Sequence, residues 1–189
     1  MIAFNFSPFP DLVSERLHFR KLNPDDVAEM FALRSDPEVM KFVPRPLAKN
    51  RQEALDHIDL INSKIDSNDG INWAITLKDN PEMIGIIGHY KTLPEDHRSE
   101  IGYMLSPKHQ QKGYISEAIS AVVKYGFEDM QLHSVEAIID PENFASARVL
   151  EKNHFIKEAH LRENHFYDGK FIDTVIYSLL KSDYLKNQK

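Results

Sequence analysis

Apolar positions along this chain fall at two spacings, every second residue or every third and fourth, and the changes between them predict its elements. In SERLHFR (14–20), Leu17 and Phe19 share one face between polar neighbours, the period of a strand. Asn23-Pro24 reads as a helix N-cap with proline at the first helical position. Val27, Met30, Phe31 and Arg34 carry that helix to a stop at Asp36-Pro37. A second helix is predicted over roughly Asn50–Lys64, with Ala54, Leu55, Ile58 and Ile61 as its apolar stripe.

Strands follow at Ile71–Leu77, Met83–Tyr90 and Arg98–Leu105, the first two separated by the turn signal Lys78-Asp79-Asn80-Pro81. Gly102 lies inside the third, where glycine marks a bulge or the close approach of another backbone or a ligand. Helical spacing returns over about Tyr114–Met130, through Ile115, Ala118, Ile119, Val122, Val123 and Gly126. Ser134–Ile139 is then a strand, Asn143–Lys152 a helix and Phe155–Leu161 a strand. Asp168-Gly169 is a hairpin turn before a last strand over Phe171–Leu180. Strand, two helices, three strands, helix, strand, helix and two strands imply a mixed α/β domain around a central, partly antiparallel sheet.

Composition narrows this picture. The 189 residues suit a single domain over 1–189, since no repeat, low-complexity tract or linker divides them. No apolar run approaches the roughly 18 residues of a membrane span. Met1–Pro10 has no basic segment followed by a long apolar run, so the expected compartment is the cytoplasm. A net charge of −6 argues against a nucleic-acid partner and suits a cationic substrate, or simply keeps the chain soluble. The chain contains no cysteine, which excludes disulfides, thiolate metal sites and a cysteine nucleophile. Its nine histidines show no HExxH or comparable spacing, so no metal site is expected. GxxxxGK[ST], GxGxxG and GxSxG are absent too, leaving nucleotide-triphosphate, dinucleotide and serine-hydrolase chemistry without a signal.

The segment that carries chemistry is Ile101–Ile119, IGYMLSPKHQQKGYISEAI. A strand ends at Leu105, a polar loop with Pro107 follows, and a helix opens just after Gly113. Unpaired N–H groups and the helix dipole make such an opening an anion site. Gly113 removes a side chain where a phosphate needs close approach. Ser116 offers a hydroxyl and Lys112 a charge. A diphosphate fits this cradle, but many strand–loop–helix junctions bind nothing, and this pattern alone allows both readings.

Gln110-Gln111-Lys112-Gly113-Tyr114-Ile115 resembles the Gln/Arg-x-x-Gly-x-Gly/Ala signature of the GNAT superfamily of acyl-CoA N-acetyltransferases, with Ile115 where glycine or alanine is usual. SERLHFRKLNPDD (14–26), RSDPEVMKFVPR (34–45), EIGYMLSP (100–107), NFASARVLEKNHF (143–155) and DGKFIDTVIYSLL (168–180) are similar to its RimJ/RimL-type branch, named for acetylation of ribosomal-protein N-termini. The resemblance covers almost the whole chain in order. It implies a GNAT fold whose largely antiparallel sheet, flanked by helices, is splayed between the fourth and fifth predicted strands, with acetyl-CoA as cosubstrate in the gap.

It also implies roles for matched positions. The loop from Gln110 through Gln111, Lys112, Gly113, Tyr114 and Ile115 to Ser116 would hold the pyrophosphate, chiefly by backbone N–H groups. Met104 and Leu105 would pair with the pantetheine arm, and Asn143 would hydrogen-bond it or merely cap its helix. Ser146 would lie near the sulfur and hold or protonate the departing thiolate. The base that deprotonates the amine would be Glu100, His165 or a chain of waters. The acceptor would approach over the first two helices and the C-terminal hairpin, with Phe42, Arg45, Trp73, Phe166 and Tyr167 as its wall. Tyr103 and Tyr114 are expected to pack, and His154 stands where many members have glycine. The branch favours a protein N-terminal amine as acceptor, possessed for instance by a ribosomal protein. A polyamine, amino sugar or amino acid is the alternative, and a non-catalytic acetyl-CoA sensor a third. A homodimer also fits the resemblance.

Overall fold

The structure, a computed structural model, describes residues 2–187, so the two extreme ends of the expected 1–189 domain lie outside the described residues. Eight strands form one sheet in the order β1-β2-β3-β4-β5-β6-β8-β7. They are β1 Leu12–Val13, β2 Leu17–Arg20, β3 Ile71–Leu77, β4 Asn80–Leu93, β5 Arg98–Leu105, β6 Ser134–Ile139, β7 Ile156–Tyr167 and β8 Lys170–Leu180. Every neighbouring pair is antiparallel except β5–β6, which is parallel. The helices are α1 Val27–Ser35, α2 Pro37–Met40, α3 Arg51–Asp66, α4 Tyr114–Glu128, α5 Phe144–Lys152 and α6 Lys181–Lys186.

The predicted boundaries of β3, β5 and β6 match the structure, and Asn50 caps α3 by accepting the Glu53 N–H at 3.0 Å. Trp73–Thr76 and Met83–His89 are buried without alternation, so both faces of the central strands are covered. On one face lies α4, whose Ala118, Ile119, Val122, Val123 and Phe127 are buried. Packed against each other, α1 and α3 cover the opposite face of β3 and β4. Asn23 caps a short 3-10 turn with Asp26 reciprocating, and Asp26 in turn holds Arg20 at 2.6 Å. Asp36-Pro37 ends α1 as expected and also opens α2, Asp36 accepting the Glu38 N–H at 2.8 Å.

Several elements depart from the sequence expectation: β1, α2 and α6 are additions, and β4 spans Asn80–Leu93, three residues beyond the predicted Met83–Tyr90 at each end. β7 runs on to Tyr167, past the predicted end at Leu161, because a bulge between Leu161 and His165 breaks the two-residue period. Asp173 fastens that bulge, accepting the Glu163 N–H at 2.8 Å, with His160 Nε2 at 2.7 Å. The short α6 has no periodic signal. It forms where Tyr184 packs on Phe127 at 5.0 Å between ring centres and its hydroxyl donates to Glu128 at 3.0 Å.

α5 ends in a Schellman turn, with the Phe155 N–H on the Leu150 carbonyl and the His154 N–H on that of Glu151. His154 takes the left-handed conformation, φ 66°, which a Cβ disfavours. His154→Gly therefore raises stability by about 1 kcal/mol, read as an upward shift of Tm. A lower Tm would mean that the imidazole contributes more than the backbone strain removes.

Candidate active site

The site begins where β5 and β6 part. They pair only at Arg98–Ser134, Ser99–Val135 and Glu100–Glu136, and beyond Glu100 the β5 edge facing β6 is open. Alternation along β5 sends Ser99, Ile101 and Tyr103 toward α4 and Glu100 toward α1 and α3. The open edge is followed by the loop to α4. Gln111 and Gly113 both take positive φ, 60° and 80°. α4 has no side-chain cap, whereas α3 and α5 are capped by Asn50 and Asn143. Its first-turn N–H groups therefore have no side-chain cap, the arrangement that suits an anion.

Neighbouring residues hold this loop in shape. Arg16, from the turn before β2, donates to the Lys112 carbonyl at 2.9 Å, pairs with Glu117 at 2.7 Å and lies 4.7 Å above the Tyr114 ring. Asn153 donates to the Ser116 hydroxyl oxygen at 3.0 Å, leaving the hydroxyl proton of Ser116 free to turn elsewhere. Ile115 packs against the core, and the Lys112 side chain is exposed. Gln110 serves the loop itself, its amide donating to the Leu105 carbonyl at 3.3 Å and its N–H to that of Pro107 at 3.3 Å. Leu105 is buried with its carbonyl engaged, so Met104 is the more open of the two β5 positions.

Asn143 caps α5, its side-chain oxygen accepting the Ser146 N–H at 3.1 Å, with its amide nitrogen left for another partner. Above Ser146 lies Tyr103, whose hydroxyl oxygen is buried without a hydrogen-bond partner among the described residues. Burial pushes the phenol up to about 12, against an opposing influence from the Ser146 hydroxyl. Tyr103 packs against the core as expected.

Glu100 lies on the other side of the gap. It is 6% exposed and accepts the Tyr90 hydroxyl, with Lys91 Nζ at 4.0 Å. This geometry comes from a bulge, since His89 pairs with Ile101 and Lys91 with Glu100, leaving Tyr90 as the extra residue. The Tyr90 ring fills the space over Gly102, where a Cβ would come within 3.0 Å of two ring carbons. Gly102 thus accommodates a side chain, neither a ligand nor another backbone. Burial raises the Glu100 pKa above the usual carboxylate range, against the Tyr90 hydrogen bond and Lys91.

The remaining expectations divide. Phe42 is partly buried after α2, with Lys41 Nζ 5.2 Å from its ring centre, and Arg45 is exposed in the loop toward α3. Phe166 lies exposed against Phe171 at 5.0 Å, and Tyr167 ends β7. His165 is exposed in the first pair after the bulge, opposite Ile172. Trp73 is not part of the wall. It is fully buried toward α4, edge-on to Tyr125 at 5.3 Å, with its indole N–H on the Pro10 carbonyl at 2.7 Å. Among the described residues no group of three or more His, Cys, Asp or Glu could hold a metal ion, and no helix is long and apolar enough to cross a membrane.

Arg16, Tyr90 and Asn153 are the supporting residues that sequence reasoning missed. Each acts on a partner 10 to 101 positions away; Arg16 and Asn153 lie within quoted motifs, but nothing local in the sequence names their partners.

A parallel pair that opens beside an uncapped helix is the arrangement that the resemblance to acyl-CoA N-acetyltransferases implies. Residues 16–156 match the family described as acetyltransferase (GNAT) domain, and the chain belongs to that family. It is 35% identical over 173 residues to the uncharacterized N-acetyltransferase YoaA of Bacillus subtilis, covering 92% of this chain and 98% of that one. A ribosomal-protein-serine acetyltransferase of Escherichia coli matches 51% of this chain and 54% of its own length at 30% identity. A spermidine N(1)-acetyltransferase of Vibrio cholerae matches 49% and 54% at 31%. Among solved structures, a GNAT-family acetyltransferase from Bacillus anthracis superposes with a TM-score of 0.82 at 29% identity, over 92% of this chain and 99% of that one. The fold is shared with RimL, the ribosomal L7/L12 alpha-N-protein acetyltransferase in complex with coenzyme A, at a TM-score of 0.82, 18% identity and coverage of 92% and 99%. The chain is an acetyl-CoA-dependent N-acetyltransferase.

Proposed function

We propose that the chain is one catalytic domain that acetylates the N-terminal α-amine of a protein. The observation that carries this reading is the openness of the acceptor side. Its hairpin presents Phe166 and Phe171, 60% and 63% exposed, and its loop presents Arg45, so an extended chain can lie there. A polyamine is better served by a closed acidic pocket. The partial match to the ribosomal-protein-serine enzyme agrees with the first reading, and that to the spermidine enzyme supports a small amine as the second.

Acetyl-CoA, when bound, supplies an activated thioester carbonyl. The N–H groups from Gln111 to Ser116 hold its pyrophosphate, the β5 edge around Met104 aligns its pantetheine arm, and the Asn143 amide adds a contact. Glu100, on the opposite side, takes the proton from the acceptor ammonium so that the amine can attack. Ser146, with Tyr103 beside it, hydrogen-bonds the leaving sulfur and relays to it the second proton lost by the attacking nitrogen, so that the serine hydroxyl is restored as the thiol departs. No covalent enzyme intermediate is needed.

Thiol release from acetyl-CoA against N-terminal peptides, polyamines, amino acids and amino sugars tests the reading cleanly, because a cysteine-free chain contributes no thiol. Release with peptides supports it; release with polyamines alone selects the second reading, and silence with every pool favours a sensor. Ser146→Ala lowers kcat by about 10- to 100-fold with acetyl-CoA affinity unchanged. An unchanged kcat would remove Ser146 from the chemistry.

A further inference from the structure

The proposed acceptor side carries arginines that have no carboxylate partner among the described residues. Three arginines are partly buried among the described residues: Arg20, Arg34 and Arg98. Arg20 has Asp26 at 2.6 Å and Arg98 has Glu136 at 3.6 Å. Arg34, on α1, has no carboxylate within ion-pair distance among the described residues. Its contacts are the Met40 sulfur at 3.6 Å and the Pro46 carbonyl at 3.4 Å, a weak acceptor and a long bond. A partly buried guanidinium ordinarily has an anion beside it, because desolvating the charge is unfavourable.

The second contact sets Arg34 against the loop that carries Arg45. Burial and then Arg45 lower the Arg34 pKa, while Tyr167 of the hairpin opposes them. His57 of α3 is brought to about 4 by burial and then by Arg34, Arg45 and Lys64, so it stays neutral near pH 7 and adds no charge of its own. Arg45 also acts on Glu100 and on Tyr90. The Pro46 contact brings the Arg45 loop to Arg34, and α1, which carries Arg34, lies on the face of the sheet toward which Glu100 points. An acceptor whose ammonium meets Glu100 therefore approaches over the face that carries Arg34 and the Arg45 loop.

We propose that Arg34 and Arg45 form a receptor for a carboxylate carried by the acceptor, supplied by an acidic residue at the second or third position of a protein N-terminus. This rests on the assignment of the α1–α3 side of the gap, facing Glu100, to the acceptor. It makes a polyamine a poor acceptor, since a second cationic group would face the arginines.

The test compares kcat/KM for peptides that begin with serine and differ only at positions two and three, as Asp-Glu, Ala-Ala or Lys-Lys. Free serine, free aspartate and spermidine are run alongside, with the wild type and Arg45→Glu. The wild type favours the acidic peptide over the neutral one by about tenfold, the worth of one charge-assisted hydrogen bond, and Arg45→Glu shifts the preference to Lys-Lys. Equal kcat/KM for the three peptides, or a preference unmoved by Arg45→Glu, overturns the receptor while leaving N-terminal acetylation intact. Transfer to free serine and aspartate but to no peptide overturns the peptide reading. The receptor then stands if Arg45→Glu lowers that transfer and falls if it does not. Preference for spermidine overturns both. If no acceptor turns over, calorimetric affinities of the acidic and neutral peptides for the coenzyme A complex decide, and equal affinities overturn the receptor. Arg34→Gln, with folding checked by its acetyl-CoA affinity, should lose the acidic preference without reversing it; retention of the preference counts against the receptor.

Discussion

Glu100→Gln lowers kcat by about 100-fold or more and leaves acetyl-CoA affinity unchanged, if Glu100 is the base that frees the acceptor amine. Glutamine keeps the volume and can still accept the Tyr90 hydroxyl, so the change removes basicity and little else. The carboxylate suits the task because burial, assisted by Glu136, raises its pKa, bringing it closer to that of the ammonium it must deprotonate. The wild-type rate should rise with pH through that raised pKa, and the variant should lose this limb of the profile.

Stability separates lost chemistry from lost folding. A carboxyl whose folded pKa is raised adds stability below its unfolded pKa, and that contribution disappears as pH rises through the folded value. At neutral pH the buried Glu100 charge is a liability, so the variant should unfold no more easily than the wild type. An unchanged kcat, with a large loss in His165→Ala instead, would move the base to the C-terminal hairpin.

The second large effect is on acid stability and centres on His89. Its ring is fully buried, with Nδ1 2.7 Å from the Ser99 hydroxyl and Nε2 3.0 Å from the Val122 carbonyl. A carbonyl can only accept, so Nε2 carries the proton and Nδ1 accepts from Ser99. The imidazole is thus neutral and joins β4 and β5 to α4. Gly126 makes room for it, since a Cβ there would come within 2.8 Å of the ring. Burial lowers the His89 pKa from 6.5 to about 4.

The sign follows from proton counts. The folded state holds fewer protons than the unfolded chain between those two values, so stability is complete above pH 6.5 and falls as pH drops toward 4. By pH 4.5 the loss from this residue is about 2.5 kcal/mol. Urea unfolding of the wild type and His89→Gln at pH 7 and pH 4.5 isolates it. Carboxylates and His57, which is also held low by burial, titrate in both proteins and cancel. The advantage of the wild type over the variant should shrink by that amount, whereas a gap equal at both pH values would show that His89 does not titrate in this range.

The sequence by itself determined the features that rest on short-range chemistry. Leu17 and Phe19 alternate with polar neighbours, the stripe of α4 repeats at helical spacing, and Asn50 or Asp168-Gly169 act on residues within a few positions. Gly113 at the opening of α4 was legible for the same reason, whereas the splayed pair beside it was implied only by the family resemblance. These signals are local because backbone geometry repeats every two or 3.6 residues.

The tertiary structure alone decided which side chains meet. Tyr90 reaches Glu100 only because a bulge adds one residue to β4, and its ring, not a ligand, explains Gly102. Trp73 has the chemistry of a wall residue but the parity of a core one, and α4 covers the face toward which it points. β7 outruns its apolar pattern because Asp173 anchors the bulge, and α6 exists because Tyr184 finds Phe127. Arg34 differs from Arg20 in having no carboxylate at hand among the described residues, which no window of sequence contains. Such contacts join residues distant in the chain, and their existence depends on the packing of both faces of the sheet. A local period specifies a face of a helix or strand; only the assembled sheet and helices determine what that face meets.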